Sequence, residues 1–238
     1  MLRLVGLHLD HQKLLVTPSI LACDFLQLGR EVSQVASAGA DRIHCDVMDG
    51  HFVKNISFGP IIVQAVARST KLPLDIHLMV DFPQHHLLGL IPPSTSSFFH
   101  SIIFHVEASQ CVSEMLRSIR DRRCLTGLAL NPETPLFEVY PFLANLDFLL
   151  IMTVHPGSGG QDFLPEMLEK IRDAAEVRAQ KGLGFRIVVD GGIDVETAAK
   201  CSLAGANVFV SGTAIFGAPD LFFAIRNIRS SVTSRQKC

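Results

Sequence analysis

The sequence predicts an α/β fold, a (β/α)8 TIM barrel, on three observations. Eight short runs rich in apolar and β-branched residues recur along the chain, helix-length segments separate them, and the residues capable of chemistry fall at the carboxyl ends of the runs. Strands alternating with helices form right-handed βαβ units and a parallel sheet. A barrel of this kind takes about 250 residues and carries its site at the carboxyl ends of its strands. The 238 residues are therefore expected to form one barrel domain over 1–238, with an N-terminal extension of about 1–13 and a C-terminal tail of about 230–238.

The first strand is expected over Leu15–Leu21. It leads into a helix for which Asp24 is the candidate N-cap, with Leu26, Val32, Val35 and Ala36 as an apolar stripe ending at Gly39. The second and third strands fall near Arg42–Val47 and Leu74–Met79. The third helix belongs within Asp81–Ser101, but Pro92-Pro93-Ser94-Thr95-Ser96-Ser97 breaks any helical pattern. A short helix within Gln84–Ile91 and then an irregular loop are expected there. Further strands follow near Ile102–His105, Thr126–Leu130, Phe148–Thr153, Phe185–Asp190 and Val208–Ser211. Apolar stripes predict helices over Leu164–Ala179 and Val195–Ala204, and a short helical stretch begins at Ala214. No repeat, low-complexity tract or linker divides the chain.

A formal net charge of -2, with 48% hydrophobic and 18% charged residues, gives no sign of a nucleic-acid surface or an acidic tail. The expected partner is a small molecule. The six cysteines, Cys23, Cys45, Cys111, Cys124, Cys201 and Cys238, show no Cys-x-x-Cys spacing and suit free thiols in a reducing compartment. Met1–Gln12 has no apolar stretch of signal-peptide or membrane length, so a cytoplasmic protein without membrane association is expected.

Chemistry concentrates in three strands, which read His44-Cys45-Asp46-Val47-Met48-Asp49-Gly50, Asp75-Ile76-His77-Leu78-Met79 and Val188-Val189-Asp190-Gly191-Gly192. Side chains alternate across a strand, so His44, Asp46 and Met48 share one face, His77 lies with Met79, and Asp190 with Val188. Ionisable groups on the inward face of apolar strands are expensive to bury without partners. One joint site relieves all three strands. His44, Asp46, His77 and Asp190 make a four-ligand N/O set of the kind that holds a borderline divalent metal, Zn2+, Fe2+, Mn2+ or Co2+, with Met48, Met79 and Met152 as an apolar surround. Taken singly, each residue has a plainer reading, as a core histidine, a turn aspartate or a gap-filling methionine.

Gly157-Ser158-Gly159-Gly160 follows the sixth strand, Gly191-Gly192 the seventh and Gly212-Thr213 the eighth. Backbone N–H groups approach a phosphate closely where side chains are absent, and barrels often hold phosphate between the loops after strands seven and eight. No Lys or Arg sits in these loops, which points to main-chain donors rather than a salt bridge.

Pro18-Ser19-Ile20-Leu21, His44-x-Asp46-x-Met48-Asp49-Gly50, Asp75-x-His77-Leu78-Met79-Val80, His105-x-Glu107-Ala108, Met152-Thr153-Val154-His155-Pro156-Gly157-Ser158-Gly159-Gly160-Gln161 and Val189-Asp190-Gly191-Gly192-Ile193 resemble the ribulose-phosphate 3-epimerase family from about Thr17 to Pro219. The resemblance implies a ribulose-phosphate-binding barrel that interconverts D-ribulose 5-phosphate and D-xylulose 5-phosphate in the pentose phosphate pathway. It implies His44, Asp46, His77 and Asp190 as ligands of one divalent ion and Asp46 and Asp190 as the acid/base pair. It also implies substrate contacts from Ser19, His77, Asp190, the glycine loops and Thr213. A homo-oligomer is expected. The chain departs from the family pattern at His155, usually acidic or amide, at Ser158, usually phenylalanine, and at Thr213, usually serine.

The chemistry agrees with that resemblance. Epimerising a carbon beside a carbonyl takes a proton from one face and returns one to the other, so two carboxyl groups must flank a flat enediolate. A cation offsets the developing negative charge, and methionines limit protonation by water. Three rivals share the core: an epimerase of a six-carbon ketose 6-phosphate, a catalytically impaired sugar-phosphate-binding barrel, and a barrel of the decarboxylase and hexulose-phosphate synthase type. The last carries Asp-x-Lys-x-x-Asp after its third strand, where this chain reads Asp75-Ile76-His77-Leu78-Met79-Val80.

Overall fold

The computed structural model describes residues 13–91 and 100–233. Eight strands, β1 (Leu15–Pro18), β2 (Ile43–Met48), β3 (Leu74–Met79), β4 (Ser101–His105), β5 (Leu125–Leu130), β6 (Phe148–Met152), β7 (Arg186–Asp190) and β8 (Val208–Ser211), pair in parallel in the order β1-β8-β7-β6-β5-β4-β3-β2. Along the seam between β1 and β2 the ladder is replaced by the bridge Ser19↔His44 and by the Asp41 N–H, which donates to Val16 O at 3.0 Å. The barrel is nearly closed.

Helices α1 (Leu28–Ser37), α2 (Pro60–Ser69), α3 (Leu87–Leu90), α4 (Val112–Asp121), α5 (Met167–Gln180), α6 (Val195–Ala204), α7 (Thr213–Phe216) and α8 (Leu221–Thr233) follow the strands. Between β5 and β6, two 3-10 turns, Leu136–Val139 and Leu143–Asn145, replace the helix. Alternation along the strands separates two apolar shells. Cys45, Val47, Ile76, Leu78, Phe104, Ile151 and Phe209 face the helices. Leu15, Ile103, Leu125, Phe148, Leu150, Val188 and Val208 fill the barrel. Gly127 gives Ile103 its place inside, since a Cβ there would stand 2.6 Å from Ile103 Cγ1. At the amino ends of the strands, Arg42 Nε donates to Asp75 Oδ1 at 2.6 Å, Ser101 also donates to that oxygen, and the guanidinium lies 5.4 Å from the Phe148 ring centre.

Several expected boundaries shift for local reasons. β1 ends at Pro18 rather than Leu21, because the Ser19 side chain accepts from Leu21 N–H and caps a 3-10 turn, Ile20–Ala22. Asp24 does cap, but it caps the 3-10 turn Phe25–Gln27, and α1 starts only at Leu28. The extra turn rotates Leu26 out of the stripe to 96% exposure while Val32 and Val35 stay fully buried. The helix expected from Leu164 begins at Met167, since Leu164 N–H donates to Thr153 O at the strand end. α8 continues into the expected tail as far as Thr233. The 3-10 turn Pro83–His85 and α3 occupy the stretch expected to hold a short third helix. Residues 92–97, where an irregular loop is expected, lie outside the described residues, as do 1–12 and 234–238. Cys23, Cys45, Cys111, Cys124 and Cys201 are free thiols, Cys111 exposed and the others buried; Cys238 lies outside. None of the described helices is long and apolar enough to cross a membrane.

Candidate active site

Strand register brings the two histidines and two aspartates together. β2 and β3 pair with Asp46 opposite His77, which places both side chains at one level inside the barrel, with His44 a layer deeper. Asp190, the last residue of β7, reaches in from a strand that is not a neighbour of β2. His44 Nε2 lies 3.2 Å from Asp46 Oδ1 and 3.4 Å from Asp190 Oδ2, and His77 Nδ1 lies 3.0 and 3.5 Å from the same oxygens. The four donor atoms all fall within 4.8 Å of one another. His44 Nε2 is buried yet aligned with no hydrogen-bond partner, although two carboxylate oxygens stand within 3.4 Å. Two nitrogens and two carboxylate oxygens converging on one point, with one nitrogen unsatisfied, fit a bound cation: the group can hold a metal ion.

Burial alone would push the Asp46 carboxyl up, but the adjacent His44 and His77 rings outweigh it and hold Asp46 well below the carboxylate range. For Asp190, burial and then the Asp46 charge push upward, and the close approach of the His44 and His77 rings leaves the net direction downward. Both histidines are pulled down by burial, yet the two carboxylates carry them above the ordinary imidazole value. Ser19 Oγ donates to Asp46 Oδ2 at 2.6 Å and fixes this carboxylate from outside the cluster, while Ser57 Oγ donates to the main-chain carbonyl of Asp46.

Above the cluster opens a cavity of about 330 Å³. Of the residues expected at the site, Ser19, Asp46, Asp190, Met48, Met79, Met152, Gly157, Ser158, Gly159, Gly160, Gly191, Gly192, Gly212 and Thr213 line it. His44 and His77 do not line it and are fully buried beneath its floor, so His77, expected at both the metal and the substrate, lies in the cluster under the cavity. No Lys or Arg lines the cavity among the described residues. The turn after β7 is shaped for close approach: Gly191 has φ 115° and Gly192 φ 62°, while Thr153 Oγ1 donates to Gly191 O at 2.6 Å and Thr197 Oγ1 to Gly192 O at 2.8 Å. The loop after β6 is pinned by Gln161 Nε2, which donates to His155 O and Ser158 O at 2.7 and 2.8 Å. His155 Nδ1 lies 3.0 Å from Glu133 Oε1 in solvent, and Ser158 is exposed at the cavity rim.

His105 and Glu107 escaped the reasoning from residue type, although alternation along Ile103–His105 puts His105 on the inward face. His105 Nε2 lies 2.9 Å from His77 Nε2, on the far side of the ring from the aspartates. His105 Nδ1 lies 3.3 Å from Glu107 Oε2. Glu107 Oε1 accepts from Asn131 N at 2.9 Å and from the Thr134 hydroxyl.

A model of the "Ribulose-phosphate 3 epimerase family" matches residues 15–216. The chain is 41% identical over 225 residues to "Ribulose-phosphate 3-epimerase 2" of Cupriavidus necator, covering 93% of this chain and 92% of the relative. It is 42% identical over 217 residues to the ribulose-phosphate 3-epimerase of Bacillus subtilis, covering 91% and 98%. With the Escherichia coli K12 enzyme of that name it shares 38% over 219 residues, covering 92% and 96%. Among solved structures, 3-keto-L-gulonate-6-phosphate decarboxylase from Vibrio cholerae superposes with a TM-score of 0.66 at 11% identity, covering 94% of this chain and 99% of that one. A 3-hexulose-6-phosphate synthase gives 0.62 at 17%, covering 92% and 100%. Those two likenesses show a shared barrel and nothing of the chemistry.

Proposed function

The chain belongs to the ribulose-phosphate 3-epimerase family, and from that premise we infer that it interconverts D-ribulose 5-phosphate and D-xylulose 5-phosphate by two-base proton transfer at C3. The observation that carries the mechanism is that Asp46 and Asp190, on strands that are not neighbours, both reach the cavity floor beside a cluster able to hold a metal. The six-carbon alternative and the impaired barrel are not favoured, since all four ligands are present and the relatives carry the pentose name.

One carboxylate takes the C3 proton and the other returns a proton to the opposite face of the planar enediolate. The two carboxylates differ in their setting, since Asp46 accepts from Ser19 Oγ at 2.6 Å and Asp190 ends a strand that is not a neighbour of β2. In the reverse direction the roles exchange. His44, Asp46, His77 and Asp190 would hold one ion per chain, Zn2+, Fe2+, Mn2+ or Co2+, whose positive charge offsets the charge that develops on the substrate oxygens. Met48, Met79 and Met152 keep the reacting carbon dry. The glycine turns after β6, β7 and β8 and the Thr213 hydroxyl seat the phosphate through main-chain donors, and Ser19 orients Asp46 at the sugar end. The working form is a cytoplasmic homo-oligomer.

Turnover of ribulose 5-phosphate by the purified protein, with metal analysis alongside, tests this reading. Chelation should remove the ion and lower turnover by on the order of a hundredfold or more, and re-addition should restore it. Metal-loaded Asp190→Asn should lose epimerisation while keeping slow exchange of the C3 proton with solvent deuterium from one epimer only. Full turnover after complete metal loss, or by that variant, would overturn the respective assignment.

A further inference from the structure

The His77 ring has two nitrogens with opposite duties. Nδ1 faces Asp46 Oδ1 and Asp190 Oδ2 at 3.0 and 3.5 Å, so this is the nitrogen that would meet a cation and must carry a lone pair to do so. The proton of the neutral ring then sits on Nε2, fully buried, and needs an acceptor. The atom it faces is His105 Nε2 at 2.9 Å. The two rings are inclined by 22° with centroids 5.0 Å apart, and with facing nitrogens this close they meet edge to edge, as an in-plane hydrogen bond requires. A face-to-face stack would bring the centroids nearer.

His105 can accept at Nε2 only if its own proton is on Nδ1. That atom is buried, lies 3.3 Å from Glu107 Oε2 off the line of an ideal hydrogen bond, and has no other hydrogen-bond partner among the described residues. The carboxylate is fixed from its other oxygen, where Oε1 accepts from Asn131 N–H and the Thr134 hydroxyl. The loop that supplies those donors is held by Lys170 Nζ, which donates to Asn131 O, Pro132 O and Thr134 O at 3.1, 2.7 and 2.8 Å. Burial pushes Glu107 up, but His105 and these donors bring it down to about 2. A carboxylate can only accept, so fixing it beside His105 Nδ1 gives the chain of protons one direction.

We propose that His105 and Glu107 are positioning residues that fix the His77 tautomer, directing its Nε2 proton away from the aspartates and leaving the Nδ1 lone pair free for the metal. The inference deepens the metal-dependent reading above and rests on it. A carboxylate behind a ligating histidine raises ligand basicity and sets ring orientation; here the carboxylate acts through a second imidazole. Turning the last acceptor into a donor reverses the whole line: in Glu107→Gln an amide NH2 donating to His105 Nδ1 would place the His105 proton on Nε2 and drive the His77 proton onto Nδ1, against the cation.

Zn2+ titration against a competing chelator, at fixed pH and with the folded state checked by circular dichroism, tests this in the full chain. Glu107→Gln, nearly isosteric, should weaken Zn2+ binding by roughly 10–100-fold. His105→Gln, whose amide oxygen can accept from His77, should retain more affinity than His105→Leu, which fills similar space without an acceptor. In the Zn2+-loaded wild type, imidazole 15N spectra should place the His77 proton on Nε2, and Glu107→Gln should perturb that signal. If the wild type binds no Zn2+, the metal-dependent reading falls. If it binds and Glu107→Gln and both His105 variants stay within about twofold of it, or if His105→Gln and His105→Leu are weakened equally, the positioning role falls and packing alone accounts for these side chains.

Discussion

His105 is neutral because water cannot reach it, and that leaves a mark on stability. Its pKa falls from 6.5 in the open chain to about 4 in the fold, chiefly through burial. The unfolded chain therefore takes up a proton first as pH drops. The stability associated with neutral His105 is complete above about pH 6.5 and is lost progressively as pH falls through 4, at up to about 1.4 kcal/mol per pH unit. The contribution that disappears is on the order of 3 kcal/mol. Urea unfolding of metal-free protein at several pH values should show wild-type stability declining relative to His105→Gln between pH 7 and 4. A constant difference between them would mean that His105 is not buried as a neutral ring.

At the scale of elements, the turn after β7 is the least forgiving stretch of the site. A Cβ on Gly192 would stand 2.7 Å from Phe163 N, a backbone atom that cannot swing aside, at a left-handed φ of 62°. Gly192→Ala should cost about 1–3 kcal/mol of stability and, by displacing main-chain donors, raise KM for the phosphorylated sugar by roughly tenfold or more with metal content unchanged. Steady-state kinetics with metal analysis decides it; an unmoved KM would take the phosphate seat away from this turn. The strands and the His/Asp cluster were legible in the sequence because alternation and burial are local rules: Leu74–Met79 and Val208–Ser211 appear with the expected ends, and His44, Asp46, His77 and Asp190 come together. What was not legible depends on where chain segments meet. Leu26 turned outward because a capped 3-10 turn precedes α1, and the Glu107 relay needs a histidine from β3, another from β4 and a loop after β5. No spacing in the chain encodes that meeting.

The whole molecule divides its tasks along the barrel axis. Chemistry sits at the carboxyl ends, whereas the buried Arg42–Asp75 pair closes the opposite mouth against the Phe148 ring. Removing one partner of a buried pair strands the other charge, so Asp75→Ala should lower unfolding free energy by about 3–5 kcal/mol. Chemical denaturation should show that loss, with kcat and bound metal close to wild type below the transition; a parallel fall in metal content would mean that the two mouths are coupled. The seam between β1 and β2 adds a different consequence. Going round the barrel, β2 is followed by β1, β8 and β7, so the quartet's two ends lie on either side of the one join that lacks a full ladder. A cation shared by His44, Asp46 and Asp190 would act as the clasp of a hoop, drawing closed the edge where the sheet is least stitched, and part of its binding energy would appear as resistance of the hoop to opening.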